Sequence, residues 1–352
     1  MSGQVKLLPN ARNEYLKHEM SLFLLSNIIF LFNGNGIQVP DLMLNSQSAF
    51  FLRAGLIITF VWLGVRSLTK DLIRTKQLLI EKELALDQNE LRRIELESKN
   101  KNITDSLVYA HRIQEALLPS EEYFRKYFKE SFILYMPKDI ISGDFYWIGE
   151  RNKKIFVAAA DCTGHGVPGA LLSMIGHDML DKAINADNLE HPSEILHFMN
   201  KGIEKTFNGG KNIGSMIRDG MDIGLCVVDK KARKIEFSGA LFSLFIIRDN
   251  RLIDIKGDRF TLGMIPPGKH YNNIEVDLEE NDIIYLFSDG YVDQFGGSEN
   301  KKFKYRRFRY LLNTIHKFSV EDQKSILEEN IRTWMGNTFQ VDDILVMGFK
   351  PI

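Results

Sequence analysis

Apolar and polar positions divide the chain into three stretches of different character. Residues 20–32 (MSLFLLSNIIFLF) and 49–65 (AFFLRAGLIITFVWLGV) are almost wholly apolar, with a polar, glycine-containing stretch through Pro40 between them. From Leu68 to Leu117 charged residues surround regularly spaced leucines and isoleucines, and no Gly or Pro occurs before Pro119. Beyond Pro119, short apolar or alternating runs recur at 131–137, 153–160, 221–229, 233–239, 241–248, 273–278, 282–288 and 341–349, with turn residues between them.

Each stretch predicts a different kind of structure. The two apolar segments approach the roughly 20 residues that cross a bilayer. Arg12 and Lys17 precede the first, Arg66 and Lys70 follow the second, and the loop between them carries Asp41 as its one charge. That asymmetry predicts a two-helix membrane hairpin over residues 1–66 with both ends cytoplasmic, Arg53 snorkelling outward. A small soluble helical cap is the other reading. The first segment lacks a small-residue cleavage site, which argues against a signal peptide. On the hairpin reading residues 20–65 anchor the chain in the inner (cytoplasmic) membrane and the remainder is cytoplasmic.

Residues 67–118 read as one long helix. Ile73, Ile80, Leu84, Leu91 and Ile94 keep heptad-like spacing, and Ile103, Leu107, Ala110, Gln114 and Leu117 follow a 4-3-4-3 spacing. A helix of this length without its own core needs a partner, so a homodimeric coiled coil is expected; an intramolecular hairpin or a solvated linker helix also fits. Residues 119–352 combine many strands joined locally with helices grouped at 167–207 and 303–336. This predicts an α+β domain with largely antiparallel sheets.

Composition narrows the functional classes. At 352 residues the chain has room for about two domains, and 44% apolar residues allow a real core. With 45 Lys+Arg against 46 Asp+Glu the formal charge is −1, so a nucleic-acid partner is not expected. The two cysteines, Cys162 and Cys226, lie far apart in apolar contexts, which excludes a disulfide framework and a thiolate zinc site.

The chemistry-bearing residues are aspartates at strand ends. The stretch Asp161-Cys162-Thr163-Gly164-His165-Gly166-Val167-Pro168-Gly169-Ala170 follows the apolar run 155–160 and precedes a helical pattern. Its glycines let the backbone fold close to whatever Asp161 holds. Taken alone, a capped turn and a metal site explain it equally well. Three further motifs share the design: Ser142-Gly143-Asp144, Ser288-Asp289-Gly290 after the run IIYLF, and Asp342-Asp343 opening the last strand. Aspartate is a poor strand former, and turn capping explains one such residue better than it explains four. Aspartates converging from separate strands suit hard divalent cations such as Mg²⁺ or Mn²⁺, and two such ions can activate a water for attack on phosphorus. No Gly-x-Ser-x-Gly elbow, Cys-(x)5-Arg loop, Walker loop or His-Glu-x-x-His occurs.

The order Ser-Gly-Asp, Asp-x-x-Gly-His-Gly, Ser-Asp-Gly and Asp-Asp resembles the SpoIIE/RsbU-type serine phosphatases of the PPM (type 2C) metal-dependent superfamily. The lead-in Ala110-His111-Arg112-Ile113-Gln114-Glu115-Ala116-Leu117-Leu118-Pro119 and Pro137-Lys138-Asp139 is also similar, so the resemblance covers residues 103–350. It implies an α/β/β/α sandwich of two antiparallel sheets flanked by helices, with two Mn²⁺ or Mg²⁺ ions at one end of the sheets. Carried onto this chain, it makes Asp161 the bridging and catalytic carboxylate, with the Cys162 carbonyl, Asp144, Asp289 and Asp342 completing the metal ligands. Asp342 rather than Asp343 is the residue matching the family's ligand. The resemblance further implies a phosphorylated protein substrate in bacterial signalling, an anti-sigma-factor antagonist.

Several residues carry two readings. His165 is a candidate general acid or a capping residue at a helix start. Lys138 is a candidate for neutralising substrate phosphate or a solvated lysine, and Asp222 heads a strand near the site without an assigned role. Phe145-Tyr146-Trp147 reads as core. The basic run 301–309 is either a solvated helix face or a dock for an acidic protein. A phosphatase fold that binds without turnover and a small-molecule phosphohydrolase are the rival functions.

Overall fold

The computed structural model describes residues 46–208 and 219–352. The chain divides into two units, Met1–Ile94 and Glu95–Ile352. Helix α1 runs unbroken over Ser46–Leu117, 72 residues, and stops before Pro119, which disfavours helix in the residue before it. The second apolar segment and the charged stretch are one helix, continuous through 66/67. Leu72, Ile73, Leu79, Ile80, Leu84, Leu91, Ile94 and Ile103 along it are exposed. The expected first span, 20–32, lies outside the described residues. Among the described residues no helix is long and apolar enough to cross a membrane, so the hairpin finds no support.

After the short helix α2 (Glu121–Tyr127), whose first turn is capped by the Ser120 hydroxyl accepting from Tyr123 N, the domain is a four-layer sandwich. One sheet has the order β1 (Ser131–Met136), β12 (Ile344–Phe349), β9 (Ile283–Phe287), β6 (Ser243–Arg248), β7 (Arg251–Lys256). The other has the order β2 (Phe145–Arg151), β3 (Lys154–Cys162), β4 (Met221–Asp229), β5 (Lys234–Ala240), β8 (Ile274–Asp277). Every neighbouring pair in both sheets is antiparallel. This is the α+β domain of antiparallel sheets expected from the pattern of runs, arranged as the sandwich that the resemblance implies.

The central strands are apolar on both faces because both faces are covered. In β3, Val157 and Ala159 join the layer between the sheets, with Cys226, Leu244, Leu286 and Leu345. Phe156, Ala158 and Ala160, pointing the other way, pack under α3 (Val167–Asp181) and α4 (Pro192–Asn208), against Leu172, Leu180, Leu196 and Met199. The far side of the first sheet is covered by α6 (Tyr305–Ile315) and α7 (Val320–Met335), where Phe132, Phe245 and Phe287 meet Phe308, Leu312 and Leu327. The remaining elements are a π-helical segment (Lys182–Ala186) continuing α3, α5 (Gly290–Asp293), and the strands β10 (Phe295–Gly296) and β11 (Lys301–Lys302). Phe145, Tyr146 and Trp147 are buried, as read from the sequence, and they open a full strand, β2. Strand β7 was not among the expected runs: it is an edge strand with three well-exposed positions and no apolar run to mark it.

Strand direction places the functional loops. Phe145 pairs with Ala160, so β2 begins where β3 ends; Asp161 pairs with Asp222 at the start of β4. Across the sandwich, Ser288 N donates to Leu345 O at 3.0 Å, setting the end of β9 beside the start of β12. All four aspartate motifs therefore sit at strand ends paired in this way. The sheets are held together by residues such as Leu286, fully buried and packed toward Gly224 of the facing sheet. Leu286→Ala should cost about 2–5 kcal/mol, read as a lower urea midpoint with an unchanged slope.

Candidate functional site

Asp161 is the next-to-last residue of β3, directly before the glycine-rich loop. Burial pushes its carboxyl well above the usual range, and the charges of Asp144, Asp289, Asp342 and Asp222 push it further. Asp144 is 1% exposed. Burial raises it as well, opposed by the Ser288 hydroxyl, which donates to its Oδ2 at 2.6 Å, and reinforced by Asp343, Asp342 and Asp289. Asp289 keeps an exposed edge. Loss of hydration on its inner side, then Asp293, Asp342 and Asp222, push it up to about 6, while Lys302 acts the other way. The expected ligands are thus close enough to feel one another's charge.

The paired acids divide their work. Asp343 is buried, and its two oxygens accept from the backbone N–H groups of Lys138 and Gly143, each at 2.7 Å. It is spent on fastening the 138–143 loop to the start of β12. Asp342 is only partly buried, and its Oδ1 accepts from Asp343 N at 2.9 Å. Of the pair, Asp342 is thus the one whose carboxylate is not committed to the 138–143 loop.

Backbone shape follows from glycine. Gly164 and Gly166 have φ of +85° and +68°, values that a side chain disfavours. A Cβ at Gly143 would stand 2.9 Å from Gly164 O and 3.1 Å from Cys162 O, so the Ser-Gly-Asp loop and the Asp161 loop touch through bare backbone. The Cys162 side chain packs among the residues beneath α3 and α4, and burial with the neighbouring Asp161 raises its thiol, which stays protonated. The loop is closed from the other side by Thr163, whose Oγ1 accepts from Gly220 N at 2.8 Å and donates to Gly220 O at 3.0 Å.

His165 is exposed, and its Nδ1 meets Asp139 Oδ2 at 2.9 Å. Lys138 contributes its backbone N–H to Asp343; its side chain is half-buried. Asp222 gains a place: it stands across from Asp161, burial raises its carboxyl, and its buried Oδ1 has no hydrogen-bond partner. An orphaned carboxylate oxygen beside other carboxylates is a natural position for a cation or its bound water.

Three contributors were not read from the sequence. Ser288 bridges Leu345 N, from which it accepts at 3.0 Å, to Asp144. Asp139 orients His165. Gln114, buried near the end of α1, donates to Ser142 O at 2.7 Å and Ser173 Oγ at 3.0 Å and accepts from Ser142 N at 3.0 Å, holding both backbone groups of the residue two before Asp144. A signal for it was present: a glutamine in a seam of apolar positions, which needs polar partners if buried.

Among the described residues no three His, Cys, Asp or Glu side chains come together as a ready ion cage. The donor set nevertheless fits hard divalent cations: it is all oxygen, and its carboxyls are raised in pKa by burial first and by one another's charge second, so a cation would relieve both.

Residues 151–351 match the model of the family described as Stage II sporulation protein E (SpoIIE). The chain belongs to the SpoIIE family. Among its relatives, phosphoserine phosphatase RsbU of Bacillus subtilis (strain 168) is 26% identical over 241 residues, spanning 64% of this chain and 65% of RsbU. The SiaA-PP2C domain of Pseudomonas aeruginosa is 33% identical, with a TM-score of 0.64, over 71% of this chain and 98% of that domain. The PP2C phosphatase domain of Bacillus subtilis SpoIIE, solved with a fragment of its regulatory domain, shares the fold at 15% identity and a TM-score of 0.50, with 62% of each chain covered. The four-layer sandwich is therefore the PP2C fold, and the sequence resemblance to this family is confirmed.

The raised carboxyl of Asp289 makes a pH prediction for this SpoIIE-family chain in chelator. Folded Asp289 holds its proton up to about pH 6, whereas the ordinary value is 3.8. Between these values the folded state binds more protons, so this group's contribution to stability is complete below the lower value and is lost as pH rises through the upper one. Asp289→Asn should therefore melt about 2–4 °C higher than the parent near pH 7, with the gap narrowing as pH falls below 6 and closing only near pH 4. A gap that is constant across that range would contradict the assignment.

Proposed function

We infer that the chain is a metal-dependent phosphoprotein phosphatase acting on phosphoserine or phosphothreonine in bacterial signalling. One observation carries the reading: four ordered aspartate motifs meet at one end of a PP2C sandwich, where their carboxyls repel one another. The name of the relative RsbU supports the reaction class. Asp161, the Cys162 carbonyl, Asp144, Asp289 and Asp342 would hold two Mn²⁺ or Mg²⁺ ions. Bound there, the ions would polarise the phosphoryl group and acidify a water.

The chain's own residues supply the rest. Ser288 holds Asp144 in one orientation, and Asp343 keeps the loop beneath it in place. His165, oriented through Nδ1 by Asp139, has its other nitrogen available to protonate the leaving serine oxygen. Lys138 would neutralise charge on the phosphoprotein. The substrate fitting the family is a phosphorylated anti-sigma-factor antagonist. Helix α1, with its exposed apolar positions, would pair with a second copy as a coiled coil, and Gln114 gives that helix a direct hold on the Ser-Gly-Asp loop.

The full chain should release phosphate from a phosphoserine protein only with Mn²⁺ or Mg²⁺. Asp161→Asn should lower that rate by about a hundredfold or more with its circular dichroism unchanged. Absence of turnover in the parent across metals and phosphoproteins would favour a binding scaffold, and turnover confined to small phosphate esters would favour a small-molecule hydrolase. The two neighbouring acids should separate in a second experiment. Asp342→Asn should weaken Mn²⁺ binding by calorimetry and leave the urea midpoint in place. Asp343→Asn should lose about 1–3 kcal/mol of stability, because its amide cannot accept from both backbone N–H groups equally.

A further inference from the structure

The rim of the site carries an apolar feature that neither the core nor the chemistry uses. Phe339 is 91% exposed, and Phe295, at 37%, and Val341, at 36%, are exposed beside it. A free-swinging loop could explain such exposure, but this loop is fastened. Gln294, fully buried, donates through Nε2 to Phe339 O and to Phe295 O, both at 3.0 Å, and accepts at Oε1 from Val341 N at 3.0 Å. The Thr338 hydroxyl donates to Phe295 O at 2.9 Å. Gln340 Nε2 donates to Met136 O at 2.7 Å and Asp342 O at 2.8 Å. Gln294 is itself held through its carbonyl by Trp334 Nε1 at 3.0 Å and Phe303 N at 2.9 Å.

One buried glutamine therefore ties together the two segments that carry Asp289 and Asp342, and the outward faces of those segments are aromatic. Phe339 lies three residues from Asp342, at most about 11 Å of chain. A ring presented from a fixed backbone loses little entropy when it is covered, which makes it an economical anchor for association. A small phosphate ester seated among the carboxylates has nothing to place on this ring. A protein bearing the phosphate on one of its residues extends past the acids and across the rim.

We propose that Phe339 and Phe295 form a pre-organised docking rim for the phosphorylated protein substrate, gripping apolar side chains that flank its phosphoserine. The occupant is identified by continuity: the rim is built from the same two segments as the site, and it rests on the phosphatase reading of that site. Phe339 contributes to selection among phosphoproteins, and the aspartates act on the phosphate whatever carries it.

The test uses the full chain and two fluorescent phosphoserine peptides of equal length, one with Leu and Ile flanking the phosphoserine and one with Ser and Asn there. Binding is read by anisotropy in the Asp161→Asn background so that peptide is not consumed, and turnover is read on the parent with Mn²⁺, beside p-nitrophenyl phosphate. The apolar-flanked peptide should bind and turn over about tenfold better. Phe339→Ala should erase that preference, leaving the melting temperature and p-nitrophenyl phosphate hydrolysis unchanged, and Phe295→Ala should reduce it. Equal handling of both peptides, or a preference that survives Phe339→Ala, overturns the proposal. A lower sedimentation mass in Phe339→Ala also overturns it, by assigning the ring to self-association. Hydrolysis of p-nitrophenyl phosphate without peptide preference leaves the phosphatase reading standing and removes the rim. Peptide preference in anisotropy without hydrolysis of any ester does the reverse, leaving a phosphopeptide dock.

Discussion

Carboxylates gathered at one end of an apolar sandwich repel one another, and the architecture around them serves to hold them against that repulsion. Burial and mutual charge raise Asp144, Asp161 and Asp289 together, so the metal-free fold spends stability here that a bound cation would return. What holds them is neutral: the Ser288 hydroxyl on Asp144, the Thr163 and Gly220 contacts, and the backbone approach of Gly143 to Cys162 and Gly164. Apart from Asp343, whose charge is absorbed by two backbone N–H groups, the bracing adds no charge to a crowded site.

The same economy runs outward from the site. Gln114, Ser288 and Gln294 are buried neutral polar residues, and each joins two segments far apart in sequence. A satisfied buried hydrogen bond adds about 1 kcal/mol, but losing one partner leaves the other unsatisfied at greater cost. These residues therefore fix position more than they add stability. Gln114 connects a long helix to the residue two before Asp144. Gln294 connects the segments of Asp289 and Asp342 and sets the attitude of the aromatic rim. The carboxylate end of the sandwich is thus tied both to the helix that precedes it and to the exposed aromatic rim.

Much of this was legible along the chain. Alternating and continuous apolar runs located most strands and both groups of helices, because strand and helix periodicity are local properties that burial imposes. The runs did not mark β2, read only as a buried aromatic trio, nor the exposed edge strand β7 or the two-residue strands β10 and β11. The four aspartate motifs were legible too, since a charged residue at the end of an apolar strand conflicts with local propensity and needs an outside reason. The helix itself is continuous where the composition changes from apolar to charged near 66/67, because no Gly or Pro interrupts it there.

The sequence by itself determined the fold class, the acids and the family, since each is written in periodicity or in short motifs of fixed order. Tertiary structure decided which residues of those motifs face one another. It separated Asp342 from Asp343, paired Asp161 with Asp222, and gave His165 its partner in Asp139. It also set an aromatic ring beside the acids through Gln294. The physical reason is register: antiparallel pairing and sheet stacking bring together residues far apart in sequence, and a one-residue shift would turn each of them to another face.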